Sequence, residues 1–207
     1  YDACRKIAIL TSLVCGKQVN YQDIHTEGIT KITDTDIKYA KAMGCSIKLF
    51  GTSIIEDGKI YSMVAPFIVN NGHILQNVSG VFNGIFIKGN MLGETMFYGK
   101  GAGKLPTASA VVSDVIDAAK HMGCNIMTIW EDEKLELADI MDYQCKFFAR
   151  VKNASKADID AAFGKVSYVE LSDVNDEVAF VTEKISERDF QDKIKNLDLI
   201  YRIRTTM

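Results

Sequence analysis

Apolar residues recur at two different spacings along the chain, and the change of spacing separates predicted helices from predicted strands. Over residues 1–16 they recur at the spacing of one helical face, and Gly16 is typical of a helix end. The apolar positions of this helix are Ala3, Ile7, Leu10 and Val14. A second helix is predicted from Asp34, a residue type that caps helices, to Met43, with Gly44 after it.

Residues 45–69 and 81–99 are instead rich in β-branched and aromatic residues, which are typical of strands. Asp57-Gly58 divides the first of these segments, and Gly89-Asn90 divides the second. Dipeptides of this kind between two strand-like runs indicate antiparallel hairpins. A helix pair followed by antiparallel strands is therefore predicted for this part of the chain.

A glycine-rich turn follows the last of these strands, in the stretch FYGKGAGKLPTASAVVSDV (97–115). It leads into a helix predicted from Pro106 to His121, since proline suits the first helical position. We call Gly101–Gly103 the glycine loop; it matches neither a P-loop nor a dinucleotide-binding fingerprint. Two interpretations stay open at this point: a tight turn that lets strand and helix pack closely, or exposed N–H groups that bind a polar ligand.

The last third of the chain reads as strand, helix, strand, strand, helix, strand, which is the order of a ferredoxin-like βαββαβ unit. The predicted fold class is therefore α+β, with a mixed, largely antiparallel sheet covered by helices, followed by this small domain. We assign 1–130 to the first domain and 143–207 to the second. The acidic segment 131–142 is predicted to be a linker between them.

The composition is that of an ordinary globular protein and narrows the classes of partner. Of the 207 residues, 47% are apolar and 25% are charged, and the formal net charge is −3. This charge gives no reason to expect nucleic acid or an anionic membrane surface as a partner. No apolar run approaches the roughly 18 residues of a membrane-spanning helix. We therefore expect neither a nucleic-acid nor a membrane partner.

Cysteine and histidine are too scattered to indicate a metal site or a disulfide framework. The chain has five cysteines, none in a Cys-x-x-Cys pair, and three histidines far apart in sequence. They are Cys4, Cys15, Cys45, Cys124 and Cys145, and His25, His73 and His121. This pattern predicts no metal, and it predicts reduced thiols in a cytoplasmic protein.

Asp2 and Lys6 stand four residues apart on the first predicted helix and therefore share one face of it. The acid is nearer the N-terminus, which is the favourable order for such a pair. One interpretation is a solvated ion pair on the surface. The other is a lysine desolvated at the edge of the apolar stripe, beside Ile7, where a lowered pKa would suit it to proton transfer near neutrality.

The first predicted helix and the segment that contains the glycine loop both resemble homoserine dehydrogenase. YDACRKIAIL (1–10) is similar to the Asp-x-x-x-Lys helix of that family, and NVSGVFNGIFIKGNMLGETMFYGKGAGKLPTASAVVSDV (77–115) is similar to its long signature. The resemblance is strong over residues 1–120 and looser beyond. It implies interconversion of L-homoserine and L-aspartate 4-semialdehyde, a step in threonine, methionine and isoleucine biosynthesis.

The resemblance also implies roles for individual residues. Lys6 is the expected acid/base group and Asp2 the expected substrate-binding group. Gly103 is expected to touch the nicotinamide cofactor, with Gly101 and Ala102 shaping the loop. An ammonium within hydrogen-bond reach of the aldehyde oxygen can donate the proton that hydride transfer requires. A carboxylate can hold the substrate's α-ammonium by a charge-assisted hydrogen bond.

In this family a dinucleotide-binding domain precedes the Asp-x-x-x-Lys helix, and this chain begins at Tyr1, inside the predicted helix and without a methionine. We therefore expect part of a longer enzyme, with 1–130 as its catalytic and dimerisation domain and 97–121 packing toward the nucleotide domain. The chain alone is not expected to turn over substrate. The cofactor is NADP or NAD, because the residue that distinguishes them lies in the other domain. The family implies a homodimer or higher homo-oligomer.

Many members of the family end in an ACT domain, a βαββαβ module that binds amino acids between copies. Residues 177–206 resemble its second half, so 143–207 is ACT-like and an amino-acid effector is one expected partner. The loop after its first strand departs from the family pattern, because it reads Lys152-Asn153-Ala154-Ser155 in place of an Asp-x-Pro-Gly-like loop. A structural or oligomerising role is therefore at least as well supported as threonine sensing.

Two alternatives remain. One is a non-catalytic amino-acid-binding or assembly module derived from the same family, and the other is a related dehydrogenase that acts on another small aldehyde. Asp2 and Lys6 argue against the first, because a module without chemistry needs neither. Asp2 argues mildly against the second, because it stands where the family holds an ammonium.

Overall fold

The computed structural model describes residues 2–127 and 130–207. Its helices are α1 (Asp2–Cys15), α2 (Asp34–Ala42), α3 (Lys104–Lys120), α4 (Lys156–Phe163) and α5 (Glu187–Ile194). Its strands are β1 (Lys17–Gln18), β2 (His25–Thr26), β3 (Ser46–Glu56), β4 (Lys59–Val69), β5 (Phe82–Gly89), β6 (Gly93–Lys100), β7 (Glu131–Lys134), β8 (Gln144–Lys152), β9 (Val166–Val169), β10 (Glu177–Thr182), β11 (Ile185–Ser186) and β12 (Asp198–Thr205). Tyr1, the first residue of the predicted helix, lies outside the described residues.

The chain forms two compact units. Tyr1–His73 and Ile129–Met207 make up one, which we call the sheet unit, and Ile74–Thr128 makes up the other, which we call the hairpin unit. The sheet unit holds α1, α2, α4 and α5. The hairpin unit holds β5, β6 and α3, and β5 and β6 pair antiparallel along their whole length.

The sheet unit is built on an eight-stranded sheet of the described strands, in which β4 joins the first and last thirds of the chain. β3 pairs antiparallel with the whole of β4, and Asp57 and Gly58 between them have φ values of 51° and 74°. Positive φ at both central residues is the mark of a type I′ turn, so this predicted hairpin is confirmed. Elsewhere β4 pairs in parallel with β2 and then with β12.

Residues 143–207, which we call the C-terminal module, have the predicted ferredoxin-like fold. Their strands lie in the order β12, β8, β10, β9, with α4 and α5 in the crossover positions. The two helices cover one face of this sheet and bury Phe147, Phe180 and Phe190 with Ile159. The predicted α+β class and the βαββαβ order are both confirmed.

The other face of the module is covered by the N-terminal third of the chain. Tyr39 of α2 packs on Phe148 of β8 with ring centroids 5.5 Å apart, and Ile203 of β12 belongs to the same buried cluster. The module is therefore sandwiched between its own helices and α2.

Three element ends differ from the sequence prediction. Thr33, not Asp34, caps α2, because the Thr33 hydroxyl and the Asp36 carboxylate form a reciprocal capping box. The third helix begins at Lys104, two residues before Pro106, since proline is tolerated anywhere in a first turn. In the β5–β6 hairpin Gly89 still pairs with Gly93, so the turn is residues 90–92 and not Gly89-Asn90.

The acidic segment 131–142 takes part in the sheet unit. β7 pairs in parallel with β1, and Leu135 is buried in the cluster beneath α1. Its charged side chains point outward, as in the ion pair of Lys134 with Asp23. The division into domains 1–130 and 143–207 stays a prediction about sequence modules.

Candidate active site

Helix α1 carries the predicted acid/base and substrate-binding residues. Its buried side chains are Cys4, Ile7, Ala8, Thr11 and Ser12, whereas Val14 is exposed, so the buried face is rotated from the predicted apolar stripe. Thr11 and Ser12 can face the core because each hydroxyl is hydrogen-bonded there: Thr11 Oγ1 donates to the Ile7 carbonyl at 2.7 Å, and Ser12 Oγ accepts from the Val19 N–H at 2.9 Å.

Asp2 and Lys6 form an ion pair on the opposite, open face of α1. Lys6 Nζ lies 2.7 Å from Asp2 Oδ2, and the two side chains are 66% and 81% exposed, respectively. The hydrogen bond from Lys6 lowers the pKa of Asp2 below its ordinary value of 3.8. In the described residues the pair is therefore solvated, which favours the first of the two interpretations, and Lys6 points away from the apolar stripe.

The same face of α1 continues with two exposed apolar side chains. Ile9 and Leu13 follow Lys6 by three and seven positions, and they are 52% and 48% exposed. Residues three, four and seven apart lie on one side of a helix. The exposed face of α1 is thus charged at its N-terminal end and apolar at its C-terminal end.

A close approach to β3 fixes where α1 lies. A side chain at Gly51 would place its Cβ 3.2 Å from Ile7 Cβ and 3.5 Å from the Ala3 carbonyl oxygen. The helix therefore rests on the strand where the strand has no side chain. Sequence reasoning did not single out Gly51, because a glycine inside a strand signals a close approach without saying what approaches.

The loop after α1 holds the first turn of the helix. The Cys4 thiol donates to the Tyr21 carbonyl at 3.1 Å, and the Thr26 hydroxyl lies 3.4 Å from Cys4 Sγ. The Arg5 guanidinium lies 5.2 Å from the centre of the Tyr21 ring. These contacts fix the turn of α1 that carries Asp2 and Lys6.

The glycine loop lies in the hairpin unit, between β6 and α3. The Gly101 N–H donates to the Val81 carbonyl at 2.9 Å, so the loop stays tied to the start of β5. Gly103 is the N-cap of α3, with φ of 121° and ψ of 155°, a conformation that favours glycine. With no side chain there to cap the helix, the first N–H groups of α3 have no side-chain acceptor from that position.

Helix α3 is exposed along nearly its whole length, with Pro106 half-buried in its first turn. None of its residues is buried in the described chain, although it carries a row of apolar side chains. These are Val111, Val112, Val115 and Ile116. The structure therefore brings Asp2 and Lys6 together in the sheet unit, and it forms Gly101, Ala102 and Gly103 into one loop in the hairpin unit.

The described residues contain neither a cluster of metal ligands nor a membrane-spanning helix. Within 2–127 and 130–207, no three His, Cys, Asp or Glu side chains group closely enough to hold a metal ion. In the same part of the chain no helix combines the length and the apolar character needed to cross a bilayer.

A comparison of the sequence with known protein families identifies the family of this chain. The family model for homoserine dehydrogenase matches residues 1–116, which is more than half of the chain and includes α1, the glycine loop and most of α3. The chain belongs to the homoserine dehydrogenase family.

Homoserine dehydrogenases of known sequence and structure align with nearly all of the chain. The homoserine dehydrogenase of Bacillus subtilis is 32% identical over 224 residues, which cover 99% of this chain and 52% of that protein. The homoserine dehydrogenase of Helicobacter pylori is 33% identical over 217 residues, with the same coverage of both chains. The crystal structure of a homoserine dehydrogenase from Thiobacillus denitrificans matches with a TM-score of 0.83 and 25% identity, over 99% of this chain and 52% of that one. The chain thus spans about half the length of these relatives.

A buried cluster of charges joins α2 to the C-terminal module. Arg150 of β8 lies between two carboxylates: its Nη1 is 2.7 Å from Asp36 Oδ1, and its Nε and Nη2 are 2.8 and 2.6 Å from the two oxygens of Glu177. All three side chains are nearly inaccessible to solvent. We call these residues the Arg150 cluster.

A second cluster joins the module to the segment after β2. Arg204 Nη2 lies 2.9 Å from Glu27 Oε1 and 2.8 Å from Glu187 Oε2, and Arg202 contacts the same two carboxylates. Burial alone would raise the pKa of Glu27, but hydrogen bonds from His25 and Arg204 hold it well below its ordinary value. We call these residues the Arg204 cluster.

Sequence reasoning missed both clusters. One signal was present: Arg202 and Arg204 alternate with apolar residues in a predicted strand, so they share one face of a sheet. Their partners could not be found from spacing, because Glu27 lies more than 170 positions earlier in the chain.

Proposed function

We propose that the protein containing this chain interconverts L-homoserine and L-aspartate 4-semialdehyde with NADP or NAD. The observation that carries this proposal is the Asp2–Lys6 ion pair on an exposed helix face, in a chain whose family relatives are homoserine dehydrogenases. A cytoplasmic location belongs to the same proposal.

Lys6 is proposed as the acid/base group and Asp2 as the group that holds substrate. A Lys6 ammonium placed at the aldehyde oxygen donates the proton as the alcohol forms, and the neutral amine accepts it in the reverse direction. The Asp2 carboxylate accepts hydrogen bonds from the substrate's α-ammonium. Their mutual contact of 2.7 Å supports this division, because it holds Lys6 Nζ beside the carboxylate that would take the amino group.

The glycine loop is proposed to contact the nicotinamide cofactor, which when bound supplies or takes up the hydride. The residues present fit such a group. Gly103 caps α3 without a side chain, so no side chain at that position covers the first N–H groups of the helix. Helix N–H groups without acceptors favour the polar and anionic parts of a dinucleotide.

The exposed α3 supports the proposal that residues 97–121 pack toward a dinucleotide-binding domain. A 17-residue helix with no buried residue gains little from its own chain, and isolated helices of about that length are marginal in water. Its row of valine and isoleucine side chains suits an apolar contact. The same reasoning supports our proposal that these 207 residues alone are inactive.

The C-terminal module is proposed to be mainly structural. Both faces of its sheet are covered from within this chain, and two ion clusters tie it to the N-terminal third. A groove of about 700 Å³, lined by residues that include Asn153, Lys193 and Asp198, is the place to seek an amino-acid effector. Failure of tritiated threonine to bind the intact protein would support the structural role, and saturable binding would replace it with a sensing role.

A homodimer or higher homo-oligomer is part of the proposal. Leu49 and Ile55 of β3 are exposed apolar side chains in the domain, 1–130, that the family resemblance assigns to dimerisation. Sedimentation of the intact protein tests this, and a monomer at micromolar concentration would contradict it.

The function is tested on the complete reading frame that contains these residues. The coding DNA on both sides is sequenced, the whole protein is expressed, and NADPH and NADH oxidation is followed with L-aspartate 4-semialdehyde as substrate. We expect turnover by the whole protein and none by residues 1–207 alone. A whole protein without turnover would favour the non-catalytic module, and turnover only with other small aldehydes would favour a related dehydrogenase.

A further inference from the structure

Asn83 of β5 is a neighbour of the glycine loop. In the β5–β6 ladder Asn83 lies opposite Gly99, one pair inside the last pair of the hairpin, Phe82 with Lys100. The chain then continues to Gly101, whose N–H bonds back to Val81. Asn83 is therefore the polar side chain on the partner strand next to the start of the loop.

The side chain of Asn83 occupies the space that a side chain at position 101 would need. A Cβ on Gly101 would overlap Asn83 Nδ2 and would lie 2.5 Å from Asn83 Cγ and 3.2 Å from Asn83 Cβ. Gly101 does not have a positive φ, so alanine could adopt its backbone conformation. The conflict at this position is therefore steric: an alanine at position 101 would have to displace the Asn83 carboxamide or shift the backbone of the loop.

The two neighbouring glycines differ from Gly101. Gly99 has no atom within 4 Å of where its Cβ would lie and has no positive φ. Gly103 has φ of 121°, so its requirement is conformational, and a Cβ there would lie 3.5 Å from the Pro106 ring, an ordinary contact. Only at Gly101, among these three, would a Cβ overlap another side chain.

We propose that Asn83 is a positioning residue for the glycine loop, and that its carboxamide, packed on Gly101, fixes the path of the backbone into Gly103 and the first N–H groups of α3. This inference rests on the proposed function, in which that loop contacts the nicotinamide dinucleotide. Asn83 is itself solvent-exposed, so its contact with Gly101 contributes little to any buried core. Its effect should therefore appear in dinucleotide binding rather than in folding.

The test is a cycle of variants in the complete protein: Gly101→Ala, Asn83→Ala and the double variant, with Gly89→Ala as the control. Gly89 lies at the other end of the β5–β6 hairpin, outside residues 97–121, and its Cβ position is 4.0 Å from the Gly93 carbonyl oxygen. A displacement of about 1 Å in a binding loop can cost up to 100-fold, so we expect both single variants to raise KM for the dinucleotide, Gly101→Ala by about 10- to 100-fold. The double variant should raise KM by less than the product of the two single effects, because the new Cβ no longer meets Nδ2 and Cγ of Asn83. Gly89→Ala should leave KM unchanged. Single effects that simply multiply in the double variant would overturn the proposal, since Asn83 and Gly101 would then act independently.

Asn83→Asp tests the charge of the side chain at position 83 separately from its size. It keeps the shape of the side chain and places a negative charge beside a loop proposed to receive an anionic dinucleotide. We expect a higher KM for the dinucleotide that rises further at low salt, with KM for aspartate semialdehyde little changed. Equal effects on both KM values would contradict a local role.

A measurement of backbone chemical shifts distinguishes a failure of this inference from a failure of the proposed function. The amide chemical shifts of Gly101, Ala102 and Gly103 are measured in the same variants without any ligand. If the wild-type protein has no turnover, the proposed function fails, and the response of the Gly103 shift to Asn83→Ala still decides whether Asn83 positions the loop. If turnover is present and the shifts do not respond to Asn83→Ala, this inference alone is wrong.

Discussion

Nη1 of Arg150 lies 2.7 Å from Oδ1 of Asp36, deep between α2 and the sheet of the C-terminal module. The other oxygen of Asp36 accepts the Thr33 N–H at 2.8 Å, so one carboxylate both caps α2 and pairs with the guanidinium. Glu177 holds the far side of Arg150 with both of its oxygens. Arg150 is thus the counter-ion of two buried carboxylates.

Replacing that cation should be costly. Arg150→Met leaves Asp36 and Glu177 buried without a counter-ion, and breaking a buried pair in this way costs about 3–5 kcal/mol. We expect the free energy of unfolding, measured with urea at neutral pH, to fall by that amount. Arg188→Met is the control, because Arg188 pairs with Asp139 and Asp142 at the surface and its loss should change the free energy of unfolding little. Similar losses in the two variants would contradict the role of the cluster.

Gly51→Ala should displace α1. The new Cβ would lie 3.2 Å from Ile7 Cβ, so helix and strand must separate by a few tenths of an ångström. Overpacking of this kind typically costs about 1–3 kcal/mol of unfolding free energy. Gly28→Ala is the matched control, because nothing lies within 4 Å of its Cβ position and its φ is not positive. Equal stabilities of the two variants would show that α1 does not depend on the close approach.

Lys6→Ala should remove catalysis and leave the fold intact. A positioned proton donor contributes about 10²–10⁴-fold, so we expect kcat of the complete enzyme to fall by that factor. The melting temperature should not change, because both members of the Asp2–Lys6 pair are exposed. Lys156→Ala, which breaks an equally exposed pair with Glu170, should change neither quantity. A Lys6→Ala enzyme with full kcat would rule out the acid/base role.

Acid should weaken the Arg204 cluster. Burial works against the charged form of Glu27, but hydrogen bonds from His25 and Arg204 and the charge of Arg202 outweigh it and hold the pKa of Glu27 below its ordinary value of 4.5. A carboxylate with a lowered pKa in the folded state stabilises that state above its unfolded pKa, and this stabilisation is lost as the pH falls toward the folded value.

The urea midpoint should therefore decline as the pH is lowered below 4.5, and Glu27→Gln should flatten that decline. Glu170→Gln serves as the control, because Glu170 is exposed and its pair with Lys156 is screened by salt. A decline that is the same in the wild-type protein and in Glu27→Gln would mean that other carboxylates cause it.

Thiol reactivity should separate the cysteines. Burial raises the pKa of Cys145 to about 12 and also raises those of Cys15 and Cys45, whereas Cys124 is exposed in the hairpin unit. Because the thiolate is the reactive form, Ellman's reagent should modify Cys124 first in the folded protein. Mass spectrometry of the modified peptides measures the order, and early modification of Cys145 would contradict its burial.

Local signals in the sequence were sufficient for most elements. Asp57-Gly58 predicted its hairpin because two positive φ values in succession suit few other residue pairs. The order of the C-terminal module followed from alternating strand and helix patterns. The helix caps were harder: Thr33 and Asp34 are both capping residues, and only the contact with Asp36 decides between them.

Long-range contacts account for what the sequence did not predict. The segment 131–134 is so acidic that it reads as a connector, yet it pairs with β1, more than 110 residues earlier. The predicted apolar stripe of α1 did not include Thr11 and Ser12, and their hydrogen bonds explain why they can lie on the buried face. At the site, the roles proposed for Asp2, Lys6 and the glycine loop came from the family resemblance, whereas the parts of Gly51 and Asn83 depend on which side chains lie across from them.

The pairing of β12 with β4 has a mechanical consequence. Arg204 and Thr205 of the C-terminal module are hydrogen-bonded in register with Phe67 and Ile68 of β4, and β4 is paired along its length with β3, on which α1 rests. A module joined by a flexible linker can rotate without disturbing its neighbour. Hydrogen-bonded strands of one sheet, by contrast, move together unless the hydrogen bonds between them break. Any displacement of the module would thus be carried across two strand pairings to the helix that bears Lys6.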